Sequence, residues 1–259
     1  MLMGVIYFVV ILGASIIGAI VGLGGGVIIR PVFDSIGYHS VLNIGFFASM
    51  SVLTMAVVST IKKLRDGSVI DWGLVLPTGM GAVVGGVLGN LLLEHLIATL
   101  PEPRNAQQVQ IVATVVVITA AIVVSLKNNK RYHLPSKWWC LPIGVCLGVI
   151  ASFLGMGGGP LNVPLFMIFF GLGIKDATTY SIVVIFFSHL SRLVTLGFTV
   201  GYGYFDLPML LYVIPAAIAG GLLGARFSKV LSPQVVKRMF IAALVGVICL
   251  NLFNLFFVI

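Results

Sequence analysis

Two arginines and a histidine stand in stretches of this chain that are otherwise apolar. Arg30 follows a run of glycines. Arg192 sits well inside the span 176–198, with His189 one helical turn before it and Ser188 and Ser191 alongside. A basic side chain at the centre of a membrane helix costs about 2.5–3.5 kcal/mol on insertion scales, so it pairs with something or faces a cavity. The planar fork of arginine suits tetrahedral oxyanions and carboxylates. Histidine, with an ordinary pKa of about 6.5, can donate to an anion or carry a proton. Together these residues offer recognition of a small anion, with a proton carrier beside it. The competing readings are snorkelling or pairing with Asp34 for Arg30, and a hydrogen bond between packed helices for His189.

The element that must position Arg30 occurs twice. Gly22-Leu23-Gly24-Gly25-Gly26-Val27-Ile28-Ile29-Arg30-Pro31-Val32-Phe33 returns as Gly155-Met156-Gly157-Gly158-Gly159-Pro160-Leu161-Asn162-Val163-Pro164-Leu165-Phe166. The offset is 133 residues, and six of the twelve positions are identical. Glycine lets the backbone leave the helix, and proline removes a donor and blocks continuation. Inside a bilayer such breaks survive only where protein or a water-filled cavity covers the bared backbone. Paired breaks at corresponding points of two halves point to a transporter's binding site. A half-helix that starts at such a break presents free N–H groups and a positive dipole end, which favour an anion. The candidate ligands are therefore Gly24, Gly25, Gly26 and Arg30 in the first copy, and Gly157, Gly158, Gly159 and Asn162 in the second. His189 and Arg192 complete the set. His189 and Asp34 are the candidates for proton coupling. Ser49, Ser51, Thr54, Thr178, Thr179 and Ser181 could line the path, although membrane Ser and Thr more often bond their own backbone.

Composition sets the class. The chain of 259 residues is 59% hydrophobic and 8% charged, with mean hydropathy +1.17, against about 25% charged in soluble domains. This reads as an all-α polytopic membrane protein. Apolar segments fall at roughly 4–21, 27–36, 41–61, 70–94, 108–126, 138–154, 160–172, 176–198, 206–228 and 238–258. A full crossing needs about 20 residues. That gives about eight full transmembrane helices plus two short segments, 27–36 and 160–172, each following a Gly-rich break. No basic residue precedes the first span, so it reads as a retained helix, not a cleaved signal.

Basic residues cluster at Lys62, Lys63 and Arg65, at Lys127, Lys130, Arg131 and Lys137, and at Arg226, Lys229, Lys237 and Arg238. The positive-inside rule puts all three clusters in the cytoplasm and the loops at 95–107 and 199–205 outside. The net charge of +8 is thus mostly a topology signal, and nucleic acid is not an expected partner. Asp71 and Gly85-Gly86-x-x-Gly89 match Asp206 and Gly220-Gly221-x-x-Gly224 at an offset of 135, yet the equivalent loops carry opposite charge character. The halves, 1–130 and 131–259, should be inverted repeats in a multi-pass protein of the cell membrane, with both termini external. The second glycine set reads as close helix packing, and Asp71 and Asp206 read as helix N-caps.

Several chemistries drop out. The third glycine of a dinucleotide loop is replaced by Val27 and Pro160, and no strand precedes either break. Cys140, Cys146 and Cys249 have no metal or disulfide spacing, so no metal or other cofactor is expected. With only seven acidic residues, an anionic substrate is favoured over a metal cation. There is no Walker motif, no His-Glu-x-x-His and no nucleophile with an obvious partner except Ser188 and Ser191 near His189, so the chain is not expected to be an enzyme. An anion channel is the alternative to a transporter, as is transport of another small organic anion. The sequence leaves a homo-oligomer open.

The paired Gly-x-Gly-Gly-Gly elements followed by proline, the length and the basic loop at 62–66 together resemble the TauE/SafE family of sulfite exporters. The resemblance covers essentially the whole chain. It implies export of sulfite, sulfoacetate or a related organosulfonate, coupled to protons, with Gly22–Pro31 and Gly155–Pro164 forming the central site. Position 30 is Arg while its repeat mate is Val163, so such a site is asymmetric.

Overall fold

The computed structural model describes residues 2–100, 103–126, 137–154 and 159–258. Gly157 and Gly158 of the expected site lie outside the described residues, as do Lys127, Lys130 and Arg131. The described residues form ten α-helices: α1 (Leu2–Val21), α2 (Gly26–Ile36), α3 (Val41–Arg65), α4 (Trp72–Thr99), α5 (Pro103–Leu126), α6 (Cys140–Phe153), α7 (Asn162–Phe169), α8 (Ile174–Thr199), α9 (Leu210–Val230) and α10 (Pro233–Phe253). Each matches one apolar segment read from the sequence. Seven are long and apolar enough to cross a membrane. The expected crossing at 138–154 is shorter: α6 has 14 residues and follows a single 3-10 turn. At 1.5 Å per residue, α6 spans about 21 Å.

Local chemistry sets the helix ends. Gly22, Gly24 and Gly25 have φ of 77°, 79° and 69°, a region that L side chains rarely occupy, so α1 must stop there. α2 ends at Gly37, also left-handed, whose N–H bonds Phe33. Ser40 and Ser232 cap α3 and α10, and Asp71 Oδ1 accepts from Gly73 N at 2.9 Å to cap α4. Asp206 departs from its expected role. It precedes a 3-10 turn without a side-chain capping bond, and its carboxylate lies 3.4 Å from His39 Nε2 instead.

The helices interleave across the two halves. α4 lies along α6 and α9 along α1; α3 packs on α9 and α8 on α4; α2 packs on α3 and α7 on α8; α3 meets α8, and α5 meets α10. Lipid is as apolar as leucine, so contact in a bilayer comes from close packing, which small residues permit. A Cβ at Gly81, Gly85 or Gly89 of α4 would run into the α6 backbone, and one at Gly144 or Gly148 of α6 would run into α4. Gly220 and Gly224 of α9 meet α1 in the same way, against Leu12, Ser15 and Ile16. The close-packing role expected for these glycines is what the structure contains.

The loops sort onto two ends. Asp66, after α3, holds Lys62 at 2.9 Å and approaches Lys229 of α9 at 3.9 Å. The bonded Lys62 ammonium, with Lys229 nearby, holds the Asp66 carboxyl below the usual carboxylate range. Two of the basic clusters therefore share one end. At the other end His39, between α2 and α3, meets Asp206, between α8 and α9.

Close packing predicts a sharp contrast. Gly85→Val should destabilise by about 1–3 kcal/mol through overpacking. Gly246→Ala, with nothing within 4 Å of the new methyl, should be neutral or stabilise by up to about 1 kcal/mol. Thermal unfolding of the two detergent-purified variants measures this, and equal stabilities would remove the α4–α6 contact as a constraint.

Candidate anion site at the first glycine break

The first break is wedged between α3 and α8. A Cβ at Gly24 would lie 3.1 Å from Ile185 Cγ2 and 3.2 Å from Val52 Cγ1. Val52 is midway along α3 and Ile185 midway along α8. Gly24 therefore sits between the midpoints of α3 and α8. Gly22 rests on Thr178 of α8, and its carbonyl accepts from Ser181 Oγ at 2.6 Å. Gly25 packs back on Ala14 of α1, and Gly18 leaves room for it. Much of the backbone bared by the break is satisfied locally. Gly26 N bonds Gly24 O at 2.8 Å, and Ile28 N and Ile29 N both bond Gly25 O at 2.9 Å. This helix start offers fewer free donors than an open half-helix would.

On α8 the residues at the break continue as one stripe. Thr178, Ser181, Ile185, His189 and Arg192 recur every three or four residues and share a face. His189 is 1% exposed, and neither ring nitrogen has a hydrogen-bond partner. The Arg192 guanidinium lies against Gly45 of α3, with Nη2 2.7 Å from where a Cβ would sit. So α3 and α8 run antiparallel, Val52 opposite Ile185 and Gly45 opposite Arg192. Asn162, at the start of α7, is 3% exposed. Its N–H bonds Gly159 O at 3.1 Å, and its Oδ1 has no partner. Ser51 Oγ on α3 is likewise buried and unpartnered. Buried polar groups are almost always bonded, so each such exception is notable. The other hydroxyls behave as membrane Ser and Thr usually do: Ser49, Thr178, Thr179 and Ser188 bond carbonyls one turn back.

Arg30 has a different setting. It is 8% exposed and donates to the Leu154 carbonyl at 2.9 Å and to Gln110 Oε1 at 3.0 Å. Its Nε lies 3.8 Å from Asp34 Oδ2. Gln110 in turn donates to Phe153 O at 2.8 Å. Arg30 thus joins the short helix of the first half to the end of α6, where the second glycine break begins. A cation suits the negative end of that helix dipole. Arg30 and Asp34 line a cavity of about 20 Å³ with Gln107, Gln110, Thr114 and Asn251, about the room one water needs. Asp34 Oδ1 is buried there without a partner. Gln110 and Asn254, whose Nδ2 donates to Pro31 O at 2.9 Å, are contacts of this short helix that the sequence reading passed over. The available signal was an amide side chain within or beside an apolar span.

The profile of the sulfite exporter TauE/SafE family matches residues 7–251. The chain is 29% identical over 110 residues to the probable membrane transporter protein MamO of Magnetospirillum gryphiswaldense, covering 40% of this chain and 17% of that one. It is 24% identical to MamO of Paramagnetospirillum magneticum, covering 91% of this chain and 42% of the relative. It is 22% identical to the probable membrane transporter protein MJ0441 of Methanocaldococcus jannaschii, covering 90% and 89%. The chain spans less than half the length of either MamO protein. No solved structure matches it. With helices long enough to cross a membrane, a glycine break wedged between two of them and a family match over nearly its whole length, this chain belongs to the TauE/SafE family of membrane transporters.

Proposed function

We propose that this protein is a secondary transporter that exports a small anion, sulfite, sulfoacetate or a related organosulfonate, by alternating access. The anion is held between the two glycine-rich breaks, and its movement is coupled to protons. The observation that carries the anion reading is His189. It is fully buried with both ring nitrogens unmatched, one turn from the residue that touches Gly24 and one turn from Arg192. A buried ring without a partner is costly unless a polar ligand completes it. Arg30 acts as a brace, since each of its Nη atoms already donates to a protein group.

The packing supports reading 1–130 and 131–259 as inverted repeats. Exchanging α1–α5 for α6–α10 turns the α4–α6 contact into α9–α1, α3–α9 into α8–α4, and α2–α3 into α7–α8. By the positive-inside rule the basic end is cytoplasmic, which puts the Arg192 end of α8 and both termini outside. The two ends are not in the same state. On the outer side Phe46 stacks on Phe205 at 4.2 Å, Asn43 accepts from Asp206 N at 3.1 Å, and His39 reaches the Asp206 carboxylate. The offset of 133 pairs Phe46 with Thr179, which on the basic side lines an open polar cleft. This supports an inward-open, outward-closed state.

Three outcomes follow. Sulfite or a sulfonate should raise the melting temperature of the purified protein, by about 2.7 kcal/mol of stabilisation at a hundred times Kd, and Arg192→Ala or His189→Ala should abolish the shift. A panel of sulfite, sulfate, sulfoacetate, taurine, acetate and chloride in which nothing shifts would sink the anion reading. Arg30→Ala should cost about 3 kcal/mol without ligand, because it leaves Gln110 and Leu154 unmatched. Its effect should be non-additive with Gln110→Ala by about 1 kcal/mol or more; additive losses would mean Arg30 does not act through Gln110. Finally, Phe46→Ala should speed outside labelling of Ser188→Cys by an impermeant thiol reagent roughly two- to tenfold, the weight of one aromatic pair. The background should lack the three native cysteines. Unchanged labelling would remove the Phe46–Phe205 stack from the gate.

A further inference from the structure

Three basic residues end α3, and only one turns inward. Lys62 is partly exposed and bonded to Asp66, Arg65 is exposed, but Lys63 is 5% exposed. A lysine that serves only to set topology has no reason to be buried, and burying an ammonium is costly unless it is matched. Its Nζ meets one neutral group, the Thr179 hydroxyl, at 3.3 Å. Among the described residues no carboxylate lies within ion-pair distance of it. Lys63 instead faces a polar cleft of about 220 Å³ shared with Lys175, Thr179, Ser228, Lys229 and Asp176. The lining carries three ammonium groups against one carboxylate. Lys175 Nζ is held by Lys229 O at 3.1 Å, Lys229 leans on Asp66 at 3.9 Å, and Asp176 makes no ion pair with these lysines.

We propose that this cleft is a second anion site, which holds a small oxyanion at the basic mouth of the protein. Lys63 and Lys175 supply the charge, and the Ser68 and Ser228 hydroxyls can supply hydrogen bonds. The site is distinct from the His189–Arg192 stripe, which lies more than two turns further along α8. Its floor adjoins the break: Thr179 lines the cleft, and its neighbour Thr178 packs on Gly22. That the anion then moves on to the central site rests on the transporter reading. That the cleft binds an anion does not.

Sulfite titration calorimetry on the whole protein, in nanodiscs of zwitterionic lipid, separates the two claims. Wild type should bind two sulfites. Lys63→Gln with Lys175→Gln should remove one or weaken it at least about tenfold, the weight of a charge-assisted hydrogen bond. Lys63→Arg should keep it, and Arg192→Ala should remove only the other. Lys63→Gln takes a buried charge out of the protein while keeping a donor, and an unchanged size-exclusion profile reports that it folds. Equal sulfite binding in wild type and the double lysine variant overturns the cleft site. Loss of cleft binding once phosphatidylglycerol is added to the disc also overturns it, in favour of a lipid headgroup phosphate. If Arg192→Ala changes nothing while the lysine variant loses a site, the central reading fails and the cleft stands.

Discussion

A backbone that leaves the helix inside a bilayer must find new partners for its amides and carbonyls, since no water is there to supply them. The rest of this structure depends on how the first glycine break meets that demand. Part of the solution is local, through the turn bonds from Gly26, Ile28 and Ile29 to Gly24 and Gly25. Part comes from the other half of the chain, through Ser181 on Gly22. The break also needs physical space between α3 and α8, and Gly24 provides it by presenting no side chain to Val52 and Ile185. That insertion brings the break beside the α8 face that carries His189 and Arg192.

The same constraint explains why an arginine sits on α2. The last turn of α6 ends in carbonyls that no helix bond can satisfy, at the point where the second glycine element begins. Arg30 takes one of them, Leu154, and shares Gln110 with its neighbour Phe153. One residue of the first short helix thereby secures the approach to the second break. Removing the arginine would leave a carbonyl and an amide buried and unmatched. Only one copy of the repeat carries Arg at this position; its mate is Val163. The brace is therefore present in only one of the two glycine-rich elements.

Much of this was legible in the residues, because local rules decide it. Three left-handed glycines and an aspartate ahead of α4 each carry their conformation with them, and the structure has them as read. The proline is different: Pro31 lies inside α2, which runs on to Ile36 without its donor. The glycine pairs at spacing four were readable for the same reason: only a missing side chain lets α4 and α6 touch. What failed depended on partners distant in sequence. Asp206 matches Asp71 by repeat offset, but His39 stands beside it, and its carboxylate faces that ring instead of capping the helix. Nothing in the sequence around Gln110 points to Arg30, 80 positions earlier, against which it packs. Lys63 was counted with Lys62 and Arg65 as a charge that sets sidedness. Charge alone cannot tell which member of such a cluster faces inward.

The pairing of Phe46 with Thr179 suggests how two similar halves can work in opposite senses. If both repeats could adopt either packing, a position on α3 and its mate on α8 would alternate between closed and open surroundings. Phenylalanine favours the closed arrangement on its own side, because its ring is stabilised by stacking on Phe205 and gains nothing from water. Threonine, with one hydroxyl shared between Lys63 and the Lys175 carbonyl, tolerates an aqueous cleft. On the transporter reading proposed above, the residues at this one pair of positions would bias the resting state toward opening at the basic end. A bias of this kind need amount to only a few kcal/mol to leave the other state rarely populated. A ligand that binds the two states differently could then reverse it, which is the energetic requirement for transport by alternating access.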